Sequence, residues 1–133
     1  MQIKVSYEEN GEGIVYTHSG TIEGAQLVER TRSHYQSFDY ENVRYQIIDF
    51  SAVERVEFTP EQLQEIALLD RQANHKKRAD FCFAIVLPRH GFYGMMDMWE
   101  LYKNEKVVSL KYFYTVEAAR YWIHQSMEKK SYG

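Results

Sequence analysis

The sequence predicts an α/β fold with elements in the order ββαβαβαβα, and three observations carry that prediction. Apolar runs of strand length alternate with stripes at helical spacing, the pattern of strand–helix crossovers. The run Phe81-Cys82-Phe83-Ala84-Ile85-Val86-Leu87, bounded by Asp80 and Pro88, suits a strand covered on both faces. Thr59-Pro60-Glu61-Gln62 joins an N-cap threonine, a proline at the first helical position and a glutamine three residues on, which marks a helix start.

Residues 3–7 alternate apolar and polar side chains with the period of a half-exposed strand. Asn10-Gly11, both tolerant of positive φ, then turns the chain into a second strand over 14–18. Ser19-Gly20-Thr21 leads into a first helix, with Thr21 as N-cap and Ile22, Ala25, Val28 and Tyr35 among its apolar members. Gly24 weakens that helix for no reason that composition supplies. A third strand over 43–50 has an apolar end, Ile47-Ile48, suited to a central position.

After 51–58, the helix capped by Thr59 buries Leu63, Ile66, Ala67, Leu69 and Ala73. It ends near His75-Lys76-Lys77-Arg78, whose charges complement the negative end of the helix dipole. Beyond the strand at 81–87, a helix following Arg89-His90-Gly91 repeats Phe92, Met95, Met96, Trp99 and Tyr102 at three- and four-residue steps. Residues 107–113 make the fifth strand, and Thr115 caps a last helix carrying Ala119, Trp122 and Ile123. Crossovers of this kind predict a mostly parallel five-stranded sheet with helices on both faces. The first strand is the antiparallel exception, at an edge.

Composition narrows the function classes. A chain of 133 residues, 44% hydrophobic and 26% charged, is expected to be one globular domain over 1–133. A net charge of -3 argues against a nucleic-acid binder, which would carry a basic excess. The lone cysteine, Cys82, falls in the apolar run and reads as a core residue. Nothing at the N-terminus reads as a signal peptide and no apolar stretch is long enough for a bilayer, so a cytoplasmic protein is expected.

With the element order in place, the chain resembles the STAS (anti-sigma-factor-antagonist-like) superfamily, and within it the SpoIIAA-like stand-alone domains. Gly20-Thr21-Ile22-Glu23, Ile47-Ile48-Asp49-Phe50-Ser51-Ala52-Val53 and Val116-Glu117-Ala118-Ala119-Arg120-Tyr121-Trp122-Ile123 carry the resemblance. It implies a sheet wound as a right-handed βα superhelix that serves as a protein-binding switch. In the antagonist branch a D-x-S-x-V stretch precedes an Asp-Ser pair whose serine is phosphorylated. Aligning Asp49-Phe50-Ser51-Ala52-Val53 with that stretch puts Glu57 and Phe58 at the pair, so the switch serine is missing. Thr59 lies one position later, where helix capping accounts for its hydroxyl.

Ligands of open parallel sheets bind outside the carboxyl ends of the strands. Ser19-Gly20-Thr21, Asp49 to Ser51, Arg89-His90-Gly91 and Tyr114-Thr115 are expected to meet at that edge. Asp49, Ser51, Arg89, His90 and Gly91 are therefore the candidate ligand residues, with an anion favoured at the helix start after His90. Asp49 and His90 would make an acid–base pair if they converge. No nucleophile elbow, phosphate loop or metal-ligand spacing is present, so neither cofactor nor catalytic set is expected.

Tyr93, Met98 and Tyr102 fall outside or at the margin of their helix's core stripe and form a candidate surface for a protein partner or self-association. The expectation is a non-enzymatic STAS-like interaction domain without the phosphorylatable serine. The alternative is a binder of a small anion or lipid-like molecule, the latter by analogy with the βα architecture of CRAL-TRIO domains.

Overall fold

A computed structural model describes residues 2–88 and 109–132, the last four of them as backbone only. Strand β1 (Gln2–Glu8) pairs antiparallel with β2 (Gly13–Glu23), as the alternation at 3–7 predicts. Glu9, Asn10 and Gly11 turn the chain with φ of 52°, 58° and 89°. This left-handed backbone suits Asn and Gly and explains the Asn-Gly signal.

Gly13, at the start of β2, has a different reason to be glycine. A Cβ there would lie 2.0 Å from Cζ of the Tyr45 ring, which crosses its backbone. Gly13→Ala is expected to cost about 1–3 kcal/mol by overpacking. Urea unfolding checks this, and an unchanged midpoint would show that the ring moves aside freely.

Helix α1 (Gly24–Gln36) begins later than its apolar spacing suggests. Residues 19–23 remain in β2 because they pair with 52–57 of β3 (Tyr45–Glu57), a ladder partner distant in sequence. Thr21 is thus a strand residue, and Glu23 sits at the N-cap without a side-chain bond. Gly24 opens the helix instead of interrupting it. A Cβ there would meet Gln62 Oε1 at 2.0 Å, so glycine lets α1 start against the start of α2 (Pro60–Asn74).

The Thr59 box forms as the sequence predicts. Thr59 Oγ1 accepts from the Gln62 amide at 3.2 Å, while the Thr59 amide donates to Gln62 Oε1 at 2.9 Å. Ile66 and Ala73 are buried, with Leu63, Ala67 and Leu69 packed at the margin. The helix closes at Asn74, which places the basic run in the following turn. Lys77 is buried there, contrary to its expected place at the dipole's end.

Strand β4 (Cys82–Val86) is buried throughout, and β5 (Ser109–Phe113) follows it in the sheet. The order is β1-β2-β3-β4-β5, with every pair from β2 onward parallel. Thr115 Oγ1 accepts from the Ala118 amide at 3.1 Å and caps α3 (Val116–Tyr132).

Helices α1, through Leu27 and Val28, and α2, through Ile66, cover one face over Ile22, Phe50, Phe83 and Ile85. Helix α3 covers the other, where Ala119 and Ile123 meet Val15, Tyr45, Ile47 and Ala84. Its Arg120 pairs with Glu8, which also accepts from the Tyr45 hydroxyl at 2.7 Å. Helices therefore lie on both faces, as expected. Among the described residues no helix is long and apolar enough to cross a membrane.

Candidate functional site

The site starts from a slip in the β2–β3 ladder. Thr17 pairs with Asp49, but Ser19 pairs with Ala52, so β3 advances three residues while β2 advances two. His18 lies opposite this bulge, and Asp49 Oδ1 fixes it by accepting from the Ser51 amide at 2.9 Å. The extra residue shifts the alternation of side chains, which is why Ile48, Phe50 and then Val53 join the same core.

Above the bulge a cavity of about 330 Å³ lies between β1, β2, β3, α1 and α2. Ile3, Val5, Leu27, Ile48, Phe50 and Ile66 supply its apolar lining. Tyr7 and Arg30 line it too and are exposed, so they mark where it meets solvent.

Polar side chains are built into the lining on two sides. On one, the Tyr16 hydroxyl lies 2.5 and 2.6 Å from the two ring nitrogens of His34, and Gln46 Nε2 lies 3.0 Å from His34 Nε2. On the other, the Tyr35 hydroxyl donates to Asp70 Oδ1 at 2.7 Å and accepts from Lys77 Nζ at 3.1 Å. The Lys77 ammonium sits 4.6 Å from the Phe81 ring centroid and 5.0 Å from those of Tyr35 and Phe83, a cation–π enclosure.

Among the described residues, two atoms of this lining have no partner. His18 is 3% exposed and Gln46 1%, yet neither His18 Nδ1 nor Gln46 Oε1 is hydrogen-bonded. Burial lowers the His18 pKa to about 4 against the opposing charge of Asp49, which would raise it. Burial, and then the charge of Lys77, lowers that of His34 to about 4 as well. Both imidazoles are neutral at pH 7.

The architecture matches solved structures at low sequence identity. An anti-sigma factor antagonist from Mycobacterium paratuberculosis is 17% identical with a TM-score of 0.57, the match covering 92% of this chain and 95% of that one. The anti-sigma factor antagonist SpoIIAA in its unphosphorylated form is 10% identical, with a TM-score of 0.51 and coverage of 92% and 98%. The chain has the SpoIIAA-like fold. An uncharacterized DUF3478-family protein with a SpoIIAA-like fold from Shewanella loihica PV-4 is similar too, at 13% identity, a TM-score of 0.50 and 92% coverage of both chains. No protein-family model and no curated protein matches the sequence.

Within the SpoIIAA-like fold, the expected ligand edge looks different from its sequence picture. Asp49 is buried in mid-strand, level with Val86 at the end of β4, and does not terminate its own strand. Ser51 is exposed at the bulge. Arg89, His90 and Gly91 lie outside the described residues, as do Tyr93, Met98 and Tyr102 of the expected partner surface. Phe58, aligned above with the phosphorylated serine, packs half-buried against the α1/α2 core, and Thr59 is engaged in its capping box.

His18, His34 and Gln46 were not among the residues that sequence reasoning singled out, though two of them leave a signal. Gln46 interrupts the apolar residues of a strand destined for the sheet centre. His34 continues the helical spacing Leu27, Thr31, His34, Phe38, a polar group on a buried stripe.

Proposed function

We propose that this chain is a non-enzymatic regulatory domain that acts by binding a small molecule in the cavity beneath β1. One observation carries this reading: two buried acceptors without partners, His18 Nδ1 and Gln46 Oε1, belong to residues lining the same cavity. Buried polar atoms are ordinarily paired, and each unpaired one costs about 1–3 kcal/mol. A ligand that supplies their partners recovers that cost. The expected ligand edge at Asp49 and Ser51 gains no comparable support, since the Asp49 carboxylate is used to hold the bulge.

A thermal-shift screen with neutral aromatics, fatty acids, inorganic anions and nucleotides tests the proposal. A ligand that binds only the folded state, at a hundred times its Kd, adds about 2.7 kcal/mol and raises Tm by several degrees. Absence of any shift across the panel would remove the reading.

A second reading is favoured by the fold's likeness to anti-sigma factor antagonists: the domain engages a protein partner, with Tyr93, Met98 and Tyr102 as the candidate contact. Joint replacement of Tyr93 and Met98 by alanine is expected to abolish that binding while leaving the melting temperature unchanged. Retained binding would clear the surface of that role.

A further inference from the structure

We infer that the cavity's occupant is a neutral molecule with a flat apolar body and an N–H or O–H donor at each end, selected by Gln46 at one end and His18 at the other. This inference rests on the reading of the cavity as a ligand site.

The hydrogen bonds around Gln46 fix which of its atoms is free. Its amide nitrogen faces His34 Nε2, which accepts, so its oxygen is the acceptor left over. A neutral imidazole carries one N–H, which donates, and leaves its other nitrogen as an acceptor. With Nδ1 unpartnered, that donor is Nε2–H, and Nδ1 offers a lone pair. The site thus presents two acceptors and asks for two donors.

The backbone spacing of the two residues bounds the shape. Gln46 pairs across the ladder with Ile14, and His18 lies four residues further along β2, roughly 13 Å at strand rise. Subtracting a hydrogen bond at each end leaves a span of roughly one aromatic ring with a short arm. Tyr16 and Ile48 pair between the two acceptors, and Ile3, Val5 and Phe50 complete an apolar wall for such a ring. A volume of about 330 Å³ is at the small end of ligand clefts.

Charge is disfavoured in either sign. Between Gln46 and His18 a carboxylate would face two lone pairs and two neutral imidazoles; Arg30, the cation of the lining, is exposed at the mouth, and the Lys77 ammonium is enclosed by rings and donates to Tyr35. A ligand ammonium would share the low-dielectric interior with that same lysine, and Asp70, the carboxylate of the lining, already accepts from Tyr35.

Calorimetric titration with tyrosol, a phenol bearing a hydroxyethyl arm, tests this against closely matched relatives. These are its two mono-methyl ethers, tyramine as the cation and para-hydroxyphenylacetate as the anion. Tyrosol is expected to bind roughly five-fold or more tightly than either ether, matching the lower end of the cost of an unpaired acceptor. The two charged relatives are expected to show no measurable binding. Gln46→Leu should abolish the preference over one ether and His18→Phe over the other, each variant giving a sigmoidal thermal transition.

Equal binding of tyrosol and both ethers would overturn selection by donors and leave the ligand site standing. Tightest binding of para-hydroxyphenylacetate or tyramine would overturn neutrality. Binding by no member of the series would overturn this ligand class, and a blank thermal-shift screen as well would take the ligand-site reading with it.

Discussion

Between pH 6.5 and pH 4 this protein is expected to lose several kcal/mol of stability. His18 and His34 titrate near 6.5 in an unfolded chain but only at about 4 in the folded one, in both cases chiefly because burial penalises the charged ring. Within that window the unfolded state binds more protons, so stability falls as pH falls, then levels off below the folded values. A shift of this size corresponds to about 3 kcal/mol for one fully buried imidazole. Most carboxylates titrate below pH 5, so the interval from 6.5 to 5 isolates the histidines. Urea unfolding across that interval should show the decline, and His18→Phe should remove a large part of it. A flat profile would mean that the two rings are not neutral and buried together.

Lys77→Ala is expected to destabilise the fold by about 3 kcal/mol, more than Lys77→Met. The alanine empties a space walled by Tyr35, Phe38, Phe81 and Phe83 and takes the donor from the Tyr35 hydroxyl that holds Asp70. Methionine keeps the volume and loses only the charge and the hydrogen bond. Both variants also remove the positive charge that helps hold the His34 pKa down. His34 should then titrate nearer its ordinary value, so the acid-induced loss attributable to it shrinks. Chemical denaturation at pH 7 and pH 5 reads both effects. An alanine variant as stable as wild type would show that the enclosure contributes nothing.

Features decided by near neighbours in the chain were legible in the sequence. The Asn10-Gly11 turn and the Thr59 and Thr115 caps each act within four residues, and the apolar run of β4 announces a strand covered on both faces. The ends of β2 and β3 were not legible. Ser19-Gly20-Thr21 reads as the lead into a helix, and 51–58 as the stretch between a strand and the next helix. Those stretches are strands because they pair with each other, more than thirty residues apart and beyond the end of β4.

Lys77 was misplaced for the same kind of reason. Rings from α1, from the segment after it, from the turn before β4 and from β4 itself converge on one ammonium, and no local window contains them. The cavity is harder still to foresee. It depends on a one-residue slip between two strands and on the wall that β1 adds.

That wall has a kinetic consequence. As the sheet's edge, β1 hangs on a single ladder, and its Glu8 end is pinned by Tyr45 and Arg120. Nothing comparable among the described contacts holds the Gln2 end, so fluctuation there costs least. Peeling from Gln2 toward Tyr7 exposes the cavity at Ile3 and Val5 while β2 to β5 stay paired. Amide exchange should therefore be fastest at the start of β1, and opening there would widen the way into a cavity that already meets solvent at Tyr7 and Arg30.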